Sequence, residues 1–389
     1  MLDLLKASLW GTESAIASRE DYSEMKAHAI AALPANVLPW TSMDPELRTE
    51  WKKTIMQQLI SYNQYLYEQE NLPITFPYVI LKGTSAAKYY PHPEYRKMGD
   101  IDIMTRREDY ENACSELIKY GFVEHINKEE EDFGRHRGFS KNGVEVEVHA
   151  FFALLNEPKQ AEYLDDLIIE NITPSHELPD LVNGLVLLEH IAQHMEGGLG
   201  LRQIIDWMMF VDKCLSDEKE WSNFRMMAQR IGLEKLTEVV TRMCEMFLGL
   251  EEHTWCRNVD EKSCKGLMDF VLSCGNFGIK LVDKIGPGAN VLSYARTPFA
   301  FIHLLQERGL VNWKTAQKHA VLRPFAWLYQ IGRYLNKGLG RKNAISELKG
   351  EYVAAKERVA LFDALGVKQS SKGLAVYRNG KYQKTYKMP

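Results

Sequence analysis

The stretch YVILKGTSAAKYYPHPEYRKMGDIDIMT, residues 78–105, decides how this chain is read. It reads as a strand, a glycine turn, a short helix over 85–90, a loop closed in by Pro91 and Pro93, and a second strand. A strand directs alternate side chains to one face. Asp100 and Asp102 therefore stand side by side, roughly 6.5–7 Å apart along the backbone, while Ile101 and Ile103 point into a core. Like charges held that close disfavour joint ionisation unless a cation neutralises them. Two carboxylates on a rigid strand offer hard oxygen ligands suited to Mg²⁺ or Mn²⁺. An Asp-x-Asp pair also decorates ordinary polar strand faces, but two further features favour chemistry here. Lys82-Gly83-Thr84 ends the first strand, where a glycine lets backbone N–H groups approach a phosphate. Downstream, VEVEVHA (144–150) alternates strictly, with Glu145, Glu147 and His149 on one face and three valines on the other. Antiparallel pairing of this strand beside residues 100–104 is expected to bring Glu147 to the aspartates. Three carboxylates facing a glycine turn are the minimal equipment for two-metal phosphoryl or nucleotidyl transfer.

The run L-K-G-T-x-A-x-x-Y-Y-P-x-P-x-x-R-x-x-G-D-I-D-I, followed by E-V-E-V-H, resembles the uncharacterised nucleotidyltransferase family of the DNA polymerase β superfamily. The resemblance covers residues 78–150, with a weaker continuation from Leu187 to Phe210. It implies an α+β fold: a polymerase β-like nucleotidyltransferase core, a small mixed sheet flanked by helices, with an N-terminal helical brace and a C-terminal helical domain. It also implies that Gly83 and Thr84 stand for the Gly-Ser turn that holds nucleotide phosphates. Asp100 and Asp102 stand for the metal-binding pair, and Glu147 for the third acid, where Asp is more usual. In the continuation it implies that His194, Arg202 and Asp206 lie near the nucleotide or acceptor pocket. The activity implied is transfer of NMP from an NTP, ATP by preference, to a hydroxyl of an unidentified acceptor, with release of pyrophosphate and two Mg²⁺ or Mn²⁺ ions as cofactors. The acceptor is left open between a small molecule, a protein and an RNA.

Composition bounds the answer further. A chain of 389 residues suffices for two or three domains and a sizeable core. The net charge of −4 and pI near 6.3 argue against a general nucleic-acid coat, which would be basic. The six cysteines are scattered without a C-x-x-C pair, as expected of reduced thiols in a cytoplasmic protein. The start MLDLLKASLWGTES has neither the basic region nor the long apolar run of a signal peptide. No apolar stretch approaches the roughly 18 residues of a membrane-spanning helix.

Four segments follow from the pattern. Residues 1–73 read as an N-terminal helical segment: an apolar stripe on Leu2, Leu4, Leu5, Leu9 and Trp10, a helix opening near Ser23-Glu24, and a long helix opened by Asp44-Pro45-Glu46 and running through Trp51, Ile55, Leu59, Tyr62, Leu66 and Tyr67. Residues 74–155 read as the nucleotidyltransferase α/β core. Here Arg96 and Lys97 precede the aspartates, and a guanidinium there can pair with a triphosphate or with Asp100. A helix is expected over 107–120 and a strand over 122–126. A charged turn follows over 127–132. A hairpin then turns at Lys141-Asn142-Gly143, with Arg135, His136 and Arg137 on its first arm within reach of phosphate. Residues 156–280 read as a helical domain completing the cleft, with helices over 181–195 and 201–214. His190 and His194 share a helix face. Residues 281–389 read as a helical region with a polar tail, a loop at Gly286-Pro287-Gly288, helices over 297–310 and 321–339, basic side chains suited to an anionic surface, and a hairpin at Asn379-Gly380.

Together these readings name Asp100, Asp102 and Glu147 as catalytic metal ligands, and Lys82, Gly83, Thr84, Arg96, Arg137, His194, Arg202 and Asp206 as nucleotide-binding residues. Two other functions are consistent with the sequence. One is a catalytically silent nucleotide-binding or scaffold protein. The other is a metal-dependent phosphohydrolase centred on His190, His194 and Asp206.

Overall fold

A computed structural model describes residues 1–12, 16–125, 135–155, 157–280, 302, 305–306, 309–310, 312–338, 356–367, 375–378 and 381–385, without the side chains of 196, 197, 317, 318, 320, 334, 335, 337, 338, 375–378 and 381–385. The charged turn at 127–132, the Gly286-Pro287-Gly288 loop, the first residues of the 297–310 helix and the Asn379-Gly380 turn lie outside them. The fold is α+β. The chain divides into two compact units, Met1–Lys280 with Tyr377–Gln383, and Leu281–Val376 with Lys384–Pro389.

The first unit is built on a five-stranded mixed sheet in the order β1-β2-β5-β4-β3. The strands are β1 (Tyr78–Leu81), β2 (Ile101–Thr105), β3 (Val123–Glu124), β4 (His136–Lys141) and β5 (Val144–His149). β1 and β2 run antiparallel, with Leu81 opposite Asp102. β2 and β5 run parallel, with Asp102 paired to Glu147. The expected antiparallel pairing is thus corrected. The long connection through a helix and the β3–β4 pair carries the chain back in the same direction, as parallel strands require. The β4–β5 hairpin forms as the Asn-Gly signal predicts, with Asn142 at φ 54° and Gly143 at φ 79°.

Period-2 alternation sorts the sheet into two faces. Tyr78, Ile80, Ile101, Ile103, Phe139, Val144, Val146 and Val148 bury one face against α5 (Tyr110–Lys119), which supplies Tyr110, Ala113, Cys114 and Leu117. The other face carries Asp102, Glu147 and His149.

The N-terminal helices are α1 (Leu2–Trp10), α2 (Arg19–Ala27) and α3 (Pro45–Glu70). α2 opens at Ser18 rather than near Ser23, because Ser18 and Asp21 form a reciprocal capping box. Asp44 caps α3 and Pro45 takes its first position. The buried stripe of α3 runs through Leu47, Trp51, Ile55, Gln58, Tyr65 and Glu68. Tyr67, expected on the apolar face, is exposed. α4 (Gly83–Ala87) starts at the glycine turn, two residues earlier than expected. The remaining helices of this unit are α6 (Pro158–Glu170), α7 (Asp180–Gly197), α8 (Leu201–Cys214), α9 (Glu218–Arg230), α10 (Glu234–Leu248) and α11 (Glu261–Cys274). α8 takes the bounds its apolar period predicts. The second unit includes α12 (Lys314–Lys318) and α13 (Ala326–Gly338). A two-stranded sheet joins β6 (Ala375–Arg378) to β7 (Lys381–Thr385). No helix among the described residues is long and apolar enough to cross a membrane.

Candidate active site

The site is fixed first by backbone. At the end of β1 the chain turns at Lys82, φ 55° and ψ −144°, and Gly83, φ 45°. A side-chain-bearing residue pays strain for such a conformation, of order 1–3 kcal/mol. Gly83 is required on a second ground: a Cβ there would lie 2.4 Å from the Tyr65 hydroxyl. That hydroxyl donates to the Asp100 carbonyl at 3.0 Å, so one buried tyrosine of α3 ties the glycine turn to the acidic strand. Gln58 of α3 donates to the Arg96 carbonyl at 2.8 Å and steadies the loop before that strand.

Asp100, Asp102 and Glu147 then converge. One ligand oxygen from each lies within 4.8 Å of the others. Asp102 is 1% exposed. Its Oδ1 receives Lys82 Nζ at 2.7 Å and His149 Nε2 at 2.8 Å. His149 Nε2 also lies 3.4 Å from Glu147 Oε2, and His136 Nε2 lies 3.5 Å from Glu147 Oε1. The nearby Asp102 charge, and then burial, push the Asp100 carboxyl above its ordinary range. Burial pushes Glu147 upward most strongly, but the bond to His149 together with the charges of His149 and His136 holds it below the usual range. His149 is raised: burial opposes its charge, and the bonds to Asp102 and Glu147 prevail.

The donor set fits a divalent cation. It consists of hard carboxylate oxygens from two adjacent strands, and the upward shift of Asp100 marks negative charge not fully neutralised by protein groups. His136, Glu147 and His149 form a second group whose ligand atoms also lie within 4.8 Å of one another.

The other residues named from sequence are distributed more widely. Thr84 Oγ1 donates to Gln69 Oε1 at 2.8 Å. Arg96, 4% exposed, makes a two-point bond to Asp206, Nε to Oδ1 at 2.8 Å and Nη2 to Oδ2 at 2.7 Å, and so does not pair with Asp100. Tyr90 donates to the same carboxylate at 2.7 Å. These three residues fasten the loop before β2 to α8. Arg137 sits opposite Val148 on the core face of the sheet and binds Glu124 and Glu111. Strand alternation thus takes it away from the carboxylates, correcting the expectation that it reaches phosphate. On the same arm His136 faces the acids, and Arg135 Nη2 lies 3.4 Å from Gln193 Oε1.

Arg202, 7% exposed, donates to the Lys97 carbonyl at 3.3 Å, and its Nε has no hydrogen-bond partner among the described residues. His190 and His194 meet Nε2 to Nε2 at 2.8 Å. Asp206 is engaged by Arg96 and does not join them, so the phosphohydrolase centre expected from His190, His194 and Asp206 does not assemble. Burial, together with Lys82, Arg202 and Arg135, drives His194 down to about 3. Sequence reasoning passed over Tyr65, whose only signal is an aromatic residue on a helix. It put His149 on the acidic face without giving it a role.

The α+β fold places a glycine turn beside three converging carboxylates, whose oxygens lie close enough together to hold a metal ion. The comparison with known families agrees, matching residues 10–249 to the uncharacterised nucleotidyltransferase family, and the chain belongs to that family. No curated protein and no solved structure was found to match.

Proposed function

We propose that the protein transfers a nucleoside monophosphate from an NTP to an acceptor hydroxyl, using Asp100, Asp102 and Glu147 as the metal platform. The observation that carries this reading is the register pairing Asp102 with Glu147 across β2 and β5 within a chain of nucleotidyltransferase ancestry. Asp100, Asp102 and Glu147 would hold a divalent cation, Mg²⁺ or Mn²⁺, which when bound would neutralise charge at the phosphates and lower the pKa of the attacking hydroxyl. The chain's own residues do the rest. Gly83 permits the positive φ of the turn and the close approach of Tyr65, which ties that turn to the acidic strand. Lys82 and Arg202 bring positive charge to the same end of the site. Arg96 and Asp206 act by position, locking the loop that leads into Asp100. The acceptor oxygen attacks the α-phosphorus, the bond from that phosphorus to the bridging oxygen breaks, and pyrophosphate leaves.

The acceptor is sought by incubating the protein with each α-³²P-labelled NTP, Mg²⁺ or Mn²⁺ and a cell extract, then resolving products by size. Label transferred to a protein, an RNA or a small molecule supports the reading and identifies the acceptor class. Absence of transfer with all four nucleotides would sink it.

One observation favours a second reading, a nucleotide-binding protein without turnover. Lys82 and His149 both bond Asp102 Oδ1, and the Thr84 hydroxyl is bonded to Gln69. Mg-NTP binding without transfer is the result expected of it.

A further inference from the structure

We infer that Phe277 is the platform on which the nucleobase stacks, an inference that rests on the nucleotide reading of the site. Phe277 follows α11 in the short loop Gly275–Gly278 and is 57% exposed. It is also one of the few non-glycine residues in the left-handed region, at φ 53° and ψ 31°. An aromatic side chain held outward at a conformational cost asks for a reason.

The loop that holds it is built against the site. Gly198 and Gly200, between α7 and α8, lie so close that a Cβ on either would come within 2.1 Å of Gly278 N and 2.8 Å of Asn276 Cα, respectively. Gln203 of α8 donates to Asn276 Oδ1 at 3.3 Å. This seating puts the Phe277 ring 5.3 Å from the Arg202 guanidinium and 5.0 Å from the His194 ring.

Both neighbours lead to the carboxylates. Arg202 Nη1 is 3.8 Å from where a Cβ on Gly99 would stand, next to Asp100 in the chain. His194 lies within the fields of Lys82, Arg202, Arg135 and Asp102. These contacts lead from an exposed aromatic ring, past the Arg202 guanidinium, to the acidic cluster. A nucleoside triphosphate has the complementary order: a flat base, then anionic phosphates that require a cation. Stacking on an aromatic ring tolerates any base, because each has a π-face, so Phe277 supplies affinity for a nucleotide without choosing among the four.

The test uses the full chain and three proteins: wild type, Phe277→Gly and Phe277→Trp. Affinities for the four NTPs and for inorganic tripolyphosphate are measured calorimetrically in Mg²⁺, beside the thermal midpoint. Glycine removes the ring and accepts the left-handed backbone without strain, so a folding defect is not built into the variant. The expected result is a loss of NTP affinity in Phe277→Gly of about 5- to 150-fold, with tripolyphosphate affinity unchanged and a thermal midpoint no lower than wild type. Phe277→Trp retains NTP binding, and the new indole's fluorescence is quenched by the base. Equal NTP affinity in wild type and Phe277→Gly overturns the stacking role while leaving the nucleotide site standing, as does a parallel loss of NTP and tripolyphosphate affinity. A wild type that binds neither ligand removes the nucleotide reading and the inference with it.

Discussion

Single side chains decide most at the glycine turn. Gly83 answers two demands at once, a positive φ and the close approach of the Tyr65 hydroxyl. Gly83→Ala is expected to destabilise the protein by about 1–2 kcal/mol through its left-handed backbone, with about 1–3 kcal/mol more from overpacking. Removing the hydroxyl in the double variant Gly83→Ala/Tyr65→Phe relieves the second contribution, although Tyr65→Phe alone costs about 1 kcal/mol for the lost bond to Asp100. Urea midpoints of the four proteins check this. Strictly additive losses would contradict the packing contact. Asp206 offers a different case. It is buried, bonded to Arg96 at two points, and also accepts from Tyr90. Asp206→Asn leaves the guanidinium charge without its counter-ion and is expected to cost about 3–5 kcal/mol. The loss should appear in thermal unfolding, and an unchanged midpoint would show that the pair does not lock the loop.

The elements around the site explain what was legible beforehand. Strict alternation in β2 and β5 announced the faces of the sheet, so the acidic and valine faces were readable from spacing, while Glu147 as the third acid rested on an assumed antiparallel pairing and on the family resemblance. The hairpin was equally plain, because Asn142-Gly143 supplies the positive φ values that a two-residue turn needs. Strand direction was not readable: the same alternation suits parallel and antiparallel neighbours, and only the intervening connection settles it. Nor was the fate of Arg96 and Asp206, whose pairing depends on how α8 packs 110 residues downstream.

The segment after β5 carries a pH dependence of its own. Asp165 of α6 accepts from the backbone N–H groups of Phe152 and Ala153, and Glu189 of α7 from that of Leu154. Burial raises Asp165 to about 6 and Glu189 to about 7. An unfolded glutamate titrates near 4.3, so between that pH and about 7 the folded state holds more protons. The stability contributed by Glu189 is therefore present below about pH 4.3 and is lost as pH rises through 7. Glu189→Gln removes this dependence. Relative to wild type it should become more stable as pH climbs, by on the order of 1–3 kcal/mol above pH 7, and the difference should vanish near pH 4. A difference that grows toward acid would contradict the assignment.

The first unit joins an acidic sheet face to helices that carry basic and aromatic side chains. The first unit contains every residue of the proposed site, including Phe277. Its family membership and its carboxylate geometry come from separate observations, one from the whole pattern of residues 10–249 and one from the register of two strands. The chemistry proposed requires both a cation and an intact carboxylate pair. The direct measurement is label transfer from α-³²P-NTP in Mn²⁺, comparing wild type with Asp102→Asn and with wild type in excess chelator. Transfer by wild type alone, reduced at least 100-fold in both other arms, is the predicted result, in keeping with loss of a group that holds a catalytic metal. Equal transfer by Asp102→Asn would contradict the assignment of the acidic pair.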